Sequence, residues 1–146
     1  MRRIVQALHP DGNALRVRDK LFVAWQGKRL ELDEVVLAAD GPCAFVVEAE
    51  NVLSEASGDE LQKRLDAVNS VKDAPWCPPE LCVFNGKHVY GVLCGRSVQL
   101  KQSPSRFASP EALVEEWKAR GYKLLLPSGT ALASGDSLFS ASEFTC

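Results

Sequence analysis

Residues 73–94 read DAPWCPPELCVFNGKHVYGVLC, and the way this stretch folds decides both the sheet and the candidate site. Asn85 and Gly86 stand between two apolar runs, which is a strong signal for a β-hairpin with a two-residue loop. Residues paired across such a hairpin share a face, and neighbours along each strand alternate between faces. The stretch therefore predicts a hairpin in which Cys82 and His88 point to opposite sides.

The metal-binding residue types of this stretch are Cys77, Cys82, His88 and Cys94. A zinc site needs four such donors to converge on one point. The predicted hairpin separates Cys82 from His88, and Cys94 would lie about 20 Å from His88 along an extended strand. The sequence therefore predicts no metal ligands and no cofactor. A zinc-binding domain stays only as part of the second alternative function.

Trp76-Cys77-Pro78-Pro79 resembles the start of the Trp-Cys-Pro-Pro-Cys motif of thioredoxins. The second cysteine here is Cys82, which comes too late for that motif. The motif also requires a buried strand before it and a helix that begins at the first cysteine, where the dipole lowers the thiol pKa. The sequence predicts neither element at this place, so the thioredoxin fold and activity are not expected.

Catalytic machinery is not expected elsewhere either. The chain has two histidines, and His88 is interpreted as a structural residue because its neighbours belong to a predicted strand. No Gly-rich phosphate loop or Gly-x-Ser-x-Gly elbow occurs. The sequence therefore predicts that the protein is not an enzyme and has no catalytic residues. A thiol-dependent enzyme is kept beside the zinc-binding domain as the second alternative.

Two helices are predicted, over about 58–69 and 110–120. Ser57 with Glu60 fits a capping box, and Ser109 before Pro110 is a clear helix start. Arg64 is expected to face water. The buried stripe of the first helix, set by its i, i+4, i+7 spacing, is Leu61, Leu65 and Val68.

Turn signals and period-two alternation place the remaining elements. Strands are expected at about 2–8, 14–18, 29–33, 43–47, 97–101 and 124–126, with an apolar run at 21–25. The predicted fold class is α+β, a mainly antiparallel β-sheet with two α-helices, alternatively two hairpin–strand–helix units packed together. The chain is expected to form a single compact domain over 1–146, or two sublobes, 1–71 and 80–146, joined by the Pro-rich linker 72–80.

Charge is unevenly distributed along the chain. Residues 1–29 hold seven Lys or Arg and two acids, whereas residues 30–80 hold three and twelve. Such segregation can mark a surface for a charged partner. Trp76, an aromatic residue among prolines, is a further docking candidate. The candidate partner-binding residues are Arg16, Arg18, Lys28, Arg29 and Trp76.

The function follows by elimination. A small α+β domain without a catalytic constellation is interpreted as a non-catalytic protein-interaction or assembly (scaffold) domain of a larger intracellular protein or complex. Its expected partner is another protein or a second copy of itself. The alternative is a single-stranded nucleic-acid-binding module that uses the basic N-terminal hairpin, which the strands at about 2–8 and 14–18 are expected to form around the turn at 9–13. Phe22 and Trp25 weigh against this alternative, because their apolar run is expected to be core.

The expected location is intracellular, most simply cytoplasmic. The five cysteines occur at irregular spacing in a chain without a recognisable signal peptide, so they are interpreted as reduced thiols. No membrane partner is expected, because no apolar run approaches the roughly 20 residues of a membrane-spanning helix.

Overall fold

The computed structural model describes residues 15–38 and 42–126. The strand predicted at 2–8 and the strands predicted in the C-terminal tail lie outside these residues. The elements in chain order are β1 (Leu15–Trp25), β2 (Lys28–Ala38), β3 (Cys43–Ala49), β4 (Val52–Leu53), α1 (Glu55–Val71), a 3₁₀ helix (Pro79–Phe84), β5 (His88–Cys94), β6 (Ser97–Val98), α2 (Pro110–Ala119) and β7 (Lys123–Leu125).

The main sheet is mixed and has the strand order β1-β2-β3-β5-β7. The β1–β2 and β2–β3 pairs are antiparallel, whereas the β3–β5 and β5–β7 pairs are parallel. The short β4 and β6 strands also pair in parallel. The prediction of a mainly antiparallel sheet is therefore wrong. Its physical reason is connectivity, because α1 and α2 lie between successive strands, and helical crossovers return the chain in the same direction.

β1 and β2 form a hairpin with a tight turn. Gln26 and Gly27 have φ values of 48° and 75°, and Trp25 pairs with Lys28 across them. Positive φ at both central residues is what a type I′ turn requires, and this turn matches the twist of the flanking strands. The sequence predicted a strand and a separate apolar run before this turn. The structure joins them into the single strand β1.

The hairpin predicted at Asn85-Gly86 does not form. Lys87 N–H donates to the carbonyl of Phe84 at 3.0 Å, with Asn85 at φ −58°, ψ 129° and Gly86 at φ 70°. Negative φ followed by positive φ makes a type II turn, whereas a two-residue hairpin loop needs a primed turn. Asp73 stabilises this geometry, since its carboxylate accepts the Gly86 N–H at 2.8 Å.

The chain before this turn is a 3₁₀ helix where the prediction had a strand. Pro78 and Pro79 fix φ and lack N–H groups, so they cannot donate to a sheet ladder and are suited to the start of a helix. The second predicted hairpin–strand–helix unit is therefore wrong, because its first strand is absent. His88, which the prediction placed in that hairpin, begins β5 instead and is paired in register with Cys43 of β3.

Both helices form, with small differences at their ends. α1 begins at Glu55, earlier than predicted, because Ser54 is its N-cap and donates its N–H to Ser57 Oγ at 3.0 Å. Ser109 caps α2 as predicted, and its Oγ accepts the Ala112 N–H at 3.2 Å. The predicted stripe of α1 is confirmed, since Leu61, Leu65 and Val68 are all buried.

The larger core cluster of the described residues lies between α1 and the sheet, and a smaller one formed by strand residues includes Phe45 and Val92. An ideal Cβ on Gly91 of β5 would lie 2.7 Å from Leu65 Cδ1 and 2.9 Å from Leu61 Cδ2, so the helix is in direct contact with the strand backbone. Within the described residues, no helix has the length and apolar character needed to cross a bilayer.

α1 and α2 also meet closely, at Gly58 and Trp117. A Cβ on Gly58 would lie 2.9 Å from Trp117 Cδ1, and Trp117 is fully buried. Alanine favours a helix over glycine by about 1 kcal/mol, but overpacking a core costs about 1–3 kcal/mol. We therefore expect Gly58→Ala to lower the free energy of unfolding, as measured by urea denaturation. In a Trp117→Leu background the same change is expected to be neutral or stabilising, and an equal cost in both backgrounds would contradict this packing.

Candidate functional site

The predicted partner-binding residues fall on separate parts of the fold. Lys28 and Arg29 are exposed at the start of β2, beside the hairpin turn. Arg16 and Arg18 lie on β1, where their backbone positions pair with Leu37 and Val35. Arg18 is seven residues from the turn, which is about 23 Å along a strand. The structure therefore does not gather the four basic residues into one small patch.

Trp76 lies in the segment between α1 and the 3₁₀ helix, and 52% of it is exposed. The other exposed large apolar residue of the described chain is Phe22, at 60%. Phe22 was expected to be core because it belongs to an apolar run. Alternation along β1 explains the difference, since Val23 points to the core and its neighbours Phe22 and Ala24 are exposed.

Phe22 belongs to an exposed surface, which we call the hairpin face and define as Phe22, Ala24, Arg29 and Glu31. Phe22 pairs with Glu31 and Ala24 pairs with Arg29 across the two strands. These four residues, together with Val23 and Leu30 between them, line an open depression of about 380 Å³. The hairpin face therefore combines one aromatic ring with one positive and one negative charge.

A charged cluster lies where α1 crosses β2 and β3. Arg64 of α1 pairs with Glu48 of β3, and its Nη1 is 3.8 Å from Asp33 Oδ2 of β2. The side chains of Glu48, Arg64 and Asp33 are 7%, 18% and 25% exposed. The expectation that Arg64 faces water is therefore wrong. Its spacing could have shown this, because Arg64 is i+3 from Leu61 and so lies on the buried face of the helix.

The chemistry of this cluster is that of a closed ion pair. Two carboxylates on neighbouring strands repel each other unless a cation lies between them, and the guanidinium of Arg64 supplies that charge. Among residues 15–38 and 42–126, no three His, Cys, Asp or Glu side chains are grouped so that they could hold a metal ion. The ion pair between Arg64 and Glu48 therefore links α1 to β3 of the sheet.

A second buried acid, Glu55, fixes the loop before α2. It is 2% exposed, and its carboxylate accepts the N–H groups of Lys101 and Gln102 at 2.7 and 2.9 Å and the Ser105 hydroxyl at 3.0 Å. These hydrogen bonds, the one from the Lys101 N–H foremost, lower the pKa of Glu55 to about 2. Glu55 is therefore a structural anion at neutral pH.

Among the described residues, the cysteines and His88 do not converge as a metal-ligand set. His88 is exposed, and its ring makes an edge contact with Tyr90 at a centroid distance of 4.4 Å. Cys77 and Cys82 lie on either side of Pro78, whose carbonyl oxygen is 3.5 and 3.3 Å from their sulfurs. Burial, together with a hydrogen bond to Cys82, raises the pKa of the Cys77 thiol. The hairpin predicted to point Cys82 and His88 to opposite sides does not form. The two residues instead belong to different elements, the 3₁₀ helix and β5.

Cys43 departs from the expectation of five reduced thiols. It is buried in β3 and is disulfide-bonded. Cys77 and Cys82 are free thiols, and Cys82 is exposed.

Comparison with known proteins adds little. No family model matches the chain, and no curated protein matches it. The chain is similar to a solved structure described as a protein of unknown function, AF1548, with 11% sequence identity and a TM-score of 0.49. The similarity covers 85% of this chain and 55% of that one, so the chain spans about half the length of that protein.

We expect the charged cluster to contribute unequally through its two acids. Glu48→Gln should lower the free energy of unfolding by about 3–5 kcal/mol, the range for removing one partner of a buried ion pair. Asp33→Asn is the matched control and should cost no more than about 1 kcal/mol, because Asp33 is more exposed and more distant from Arg64. Urea denaturation at neutral pH measures both. Equal costs for the two variants would contradict the assignment of Glu48 as the main partner.

The pKa of Glu55 predicts an acid-sensitive contribution to stability. A carboxyl group whose pKa is lowered on folding, here from 4.5 to about 2, stabilises the fold fully above pH 4.5 and loses this effect as pH falls towards 2. Glu55→Gln should therefore be less stable than the wild type at neutral pH, and the difference should shrink across that window. The measurement is thermal or urea unfolding at several pH values. A difference that stays constant from pH 5 to pH 2 would refute this role.

Proposed function

We propose that this domain is a non-catalytic protein-interaction or assembly module that binds another protein through its hairpin face. The observation that carries the proposal is the 60% exposure of Phe22 on a regular strand. Burying a phenylalanine side chain gains about 1.5–3 kcal/mol, so leaving one in water forgoes that gain unless a partner covers it. Aromatic residues are enriched at the centres of protein interfaces for this reason.

The charges on the hairpin face favour a protein over a polyanion. Glu31 lies directly opposite Phe22, and Arg29 lies next to it on the same face. A phosphate backbone that approached Phe22 would be repelled by Glu31, whereas a protein segment with one acid and one base beside an apolar side chain complements both charges. The expected partner is therefore a protein with such a segment, and a second copy of this chain is one candidate of that class.

Two further parts of the proposal rest on weaker support. The closed pairing of Arg64 with Glu48 supports a non-catalytic role, because it occupies the carboxylates with a structural cation. The free thiols of Cys77 and Cys82 support an intracellular, cytoplasmic location. The disulfide at Cys43 weighs against this location.

Single-stranded nucleic-acid binding is the second candidate, and one observation favours it. The sequence argument against it was that Phe22 would be buried, but Phe22 is exposed beside the exposed Arg29 and Lys28. An exposed aromatic ring with basic neighbours on a sheet can stack on a base. Glu31 is the reason that this candidate ranks second.

The test is photo-crosslinking from residue 22 of the immobilised domain, with Phe22→Ser and Arg29→Glu as variants and Trp76→Ser as the matched control. We expect the captured protein to crosslink to a photoreactive phenylalanine analogue at position 22. We also expect Phe22→Ser to weaken its binding about 10-fold or more, which corresponds to 1.4 kcal/mol or more. Trp76→Ser should bind as the wild type does.

A second arm measures anisotropy of a labelled single-stranded oligonucleotide at two salt concentrations. Salt-dependent binding that Phe22→Ser and Arg29→Glu abolish would replace the protein partner with nucleic acid. If Phe22→Ser retained full capture of the same protein, the hairpin face would be excluded as the interface.

A further inference from the structure

We propose that Cys77 and Cys82 form a reversible redox pair, in which a hydroperoxide converts the two thiols to an intramolecular disulfide. The pair lies outside the hairpin face and does not depend on the proposed function. It is carried by the geometry of the Pro78 carbonyl, which both sulfurs contact at 3.5 and 3.3 Å.

The Pro78 carbonyl cannot hold both thiols at once. It already accepts the Leu81 N–H at 2.9 Å, and a carbonyl oxygen has two lone pairs. One lone pair remains for two S–H donors, which are weak donors in any case. The two sulfurs therefore compete for one lone pair of the Pro78 oxygen, and Cys82 has a second acceptor in the Cys77 carbonyl at 3.6 Å.

The backbone keeps the two cysteines close to each other, because only residues 78–81 lie between them. Pro78 is fixed at φ −55° and ψ 141°, and the 3₁₀ helix that follows brings Cys82 back beside Cys77, whose carbonyl is 3.6 Å from Cys82 Sγ. Both sulfurs thus lie within hydrogen-bond distance of one carbonyl oxygen, and Cys82 is the more exposed of the two.

The difference in exposure between Cys82 and Cys77 indicates which thiol reacts first with the hydroperoxide. Cys82 is exposed, whereas Cys77 is half-buried and packs against the core. Burial raises the pKa of the Cys77 thiol, so less of it is in the nucleophilic thiolate form at neutral pH. Cys82 is therefore the residue that meets the oxidant, and Cys77 is the resolving cysteine.

The chemistry balances in two steps. The Cys82 thiolate attacks one peroxide oxygen; an S–O bond forms, the O–O bond breaks, and the leaving hydroxide or alkoxide takes up a proton. The Cys77 thiolate then attacks the sulfur of the Cys82 sulfenic acid; the S–S bond forms, the S–O bond breaks, and hydroxide leaves as water. Both cysteines are oxidised and the peroxide is reduced. A dithiol reductant restores the thiols by exchange.

The experiment treats the full chain with hydrogen peroxide, blocks remaining thiols with an alkylating agent and maps peptides by mass spectrometry. We expect a crosslink between residues 77 and 82, a mass lower by about 2 Da for the two hydrogens lost, and full reversal by dithiothreitol. Cys77→Ser should stop at a sulfenic acid on Cys82 that dimedone traps. Cys94→Ser, a half-buried cysteine at the end of β5, is the control and should form the same crosslink.

Peptide mapping of the peroxide-treated wild-type chain tests the proposed disulfide even if a variant fails to fold. Independent oxidation of Cys77 and Cys82 to sulfinic acids, or peroxide-resistant thiols at both positions, would overturn the proposal. Dimedone labelling of Cys82 in the wild type at the same yield as in Cys77→Ser would also overturn it, because Cys77 would then not resolve the sulfenic acid.

Discussion

The contact between α1 and the backbone of β5 at Gly91 is the constraint on which the rest of this structure depends. Because Gly91 has no side chain, Leu61 and Leu65 lie directly on the strand. This places α1 across the sheet and makes the β3–β5 connection a helical crossover, so that the two strands run in parallel. The same position of the helix brings Arg64 to Glu48 and Asp33, and puts Glu55 under the loop that leads to α2.

The position of α1 also decides what the sheet can do. In open sheets with parallel strands, ligands bind outside the carboxyl ends of the strands, where the connections diverge. Glu48 lies near the carboxyl end of β3, which pairs in antiparallel with β2 and in parallel with β5. Here the guanidinium of Arg64 occupies the space between the acids. Arg64 offsets one of the two negative charges of the cluster, and Phe22 of the hairpin face stays exposed in the part of the chain that the structure describes.

Sequence reasoning succeeded where the signal is local and failed where the outcome depends on distant contacts. The Ser109 cap and the apolar stripe of α1 are set by residues within two turns of each other, and both were predicted. The turn at Asn85-Gly86 is type II because Asp73 binds the Gly86 N–H, and no local pattern reveals that contact. The charged cluster was missed because the partners of Arg64 lie on two strands far away in sequence. Phe22 was misplaced because an unbroken apolar run hides the alternation of a strand.

We propose that the guanidinium of Arg64 occupies the position between Glu48 and Asp33 that a divalent cation would need. A titration with Mn²⁺, followed by paramagnetic broadening of backbone amide signals in NMR spectra, tests this most directly. We expect the amides of Asp33 and Glu48 to broaden no more than those of exposed acids such as Glu115 on α2. Saturable broadening centred on Asp33 and Glu48 would show that a metal displaces the guanidinium, and would contradict the account.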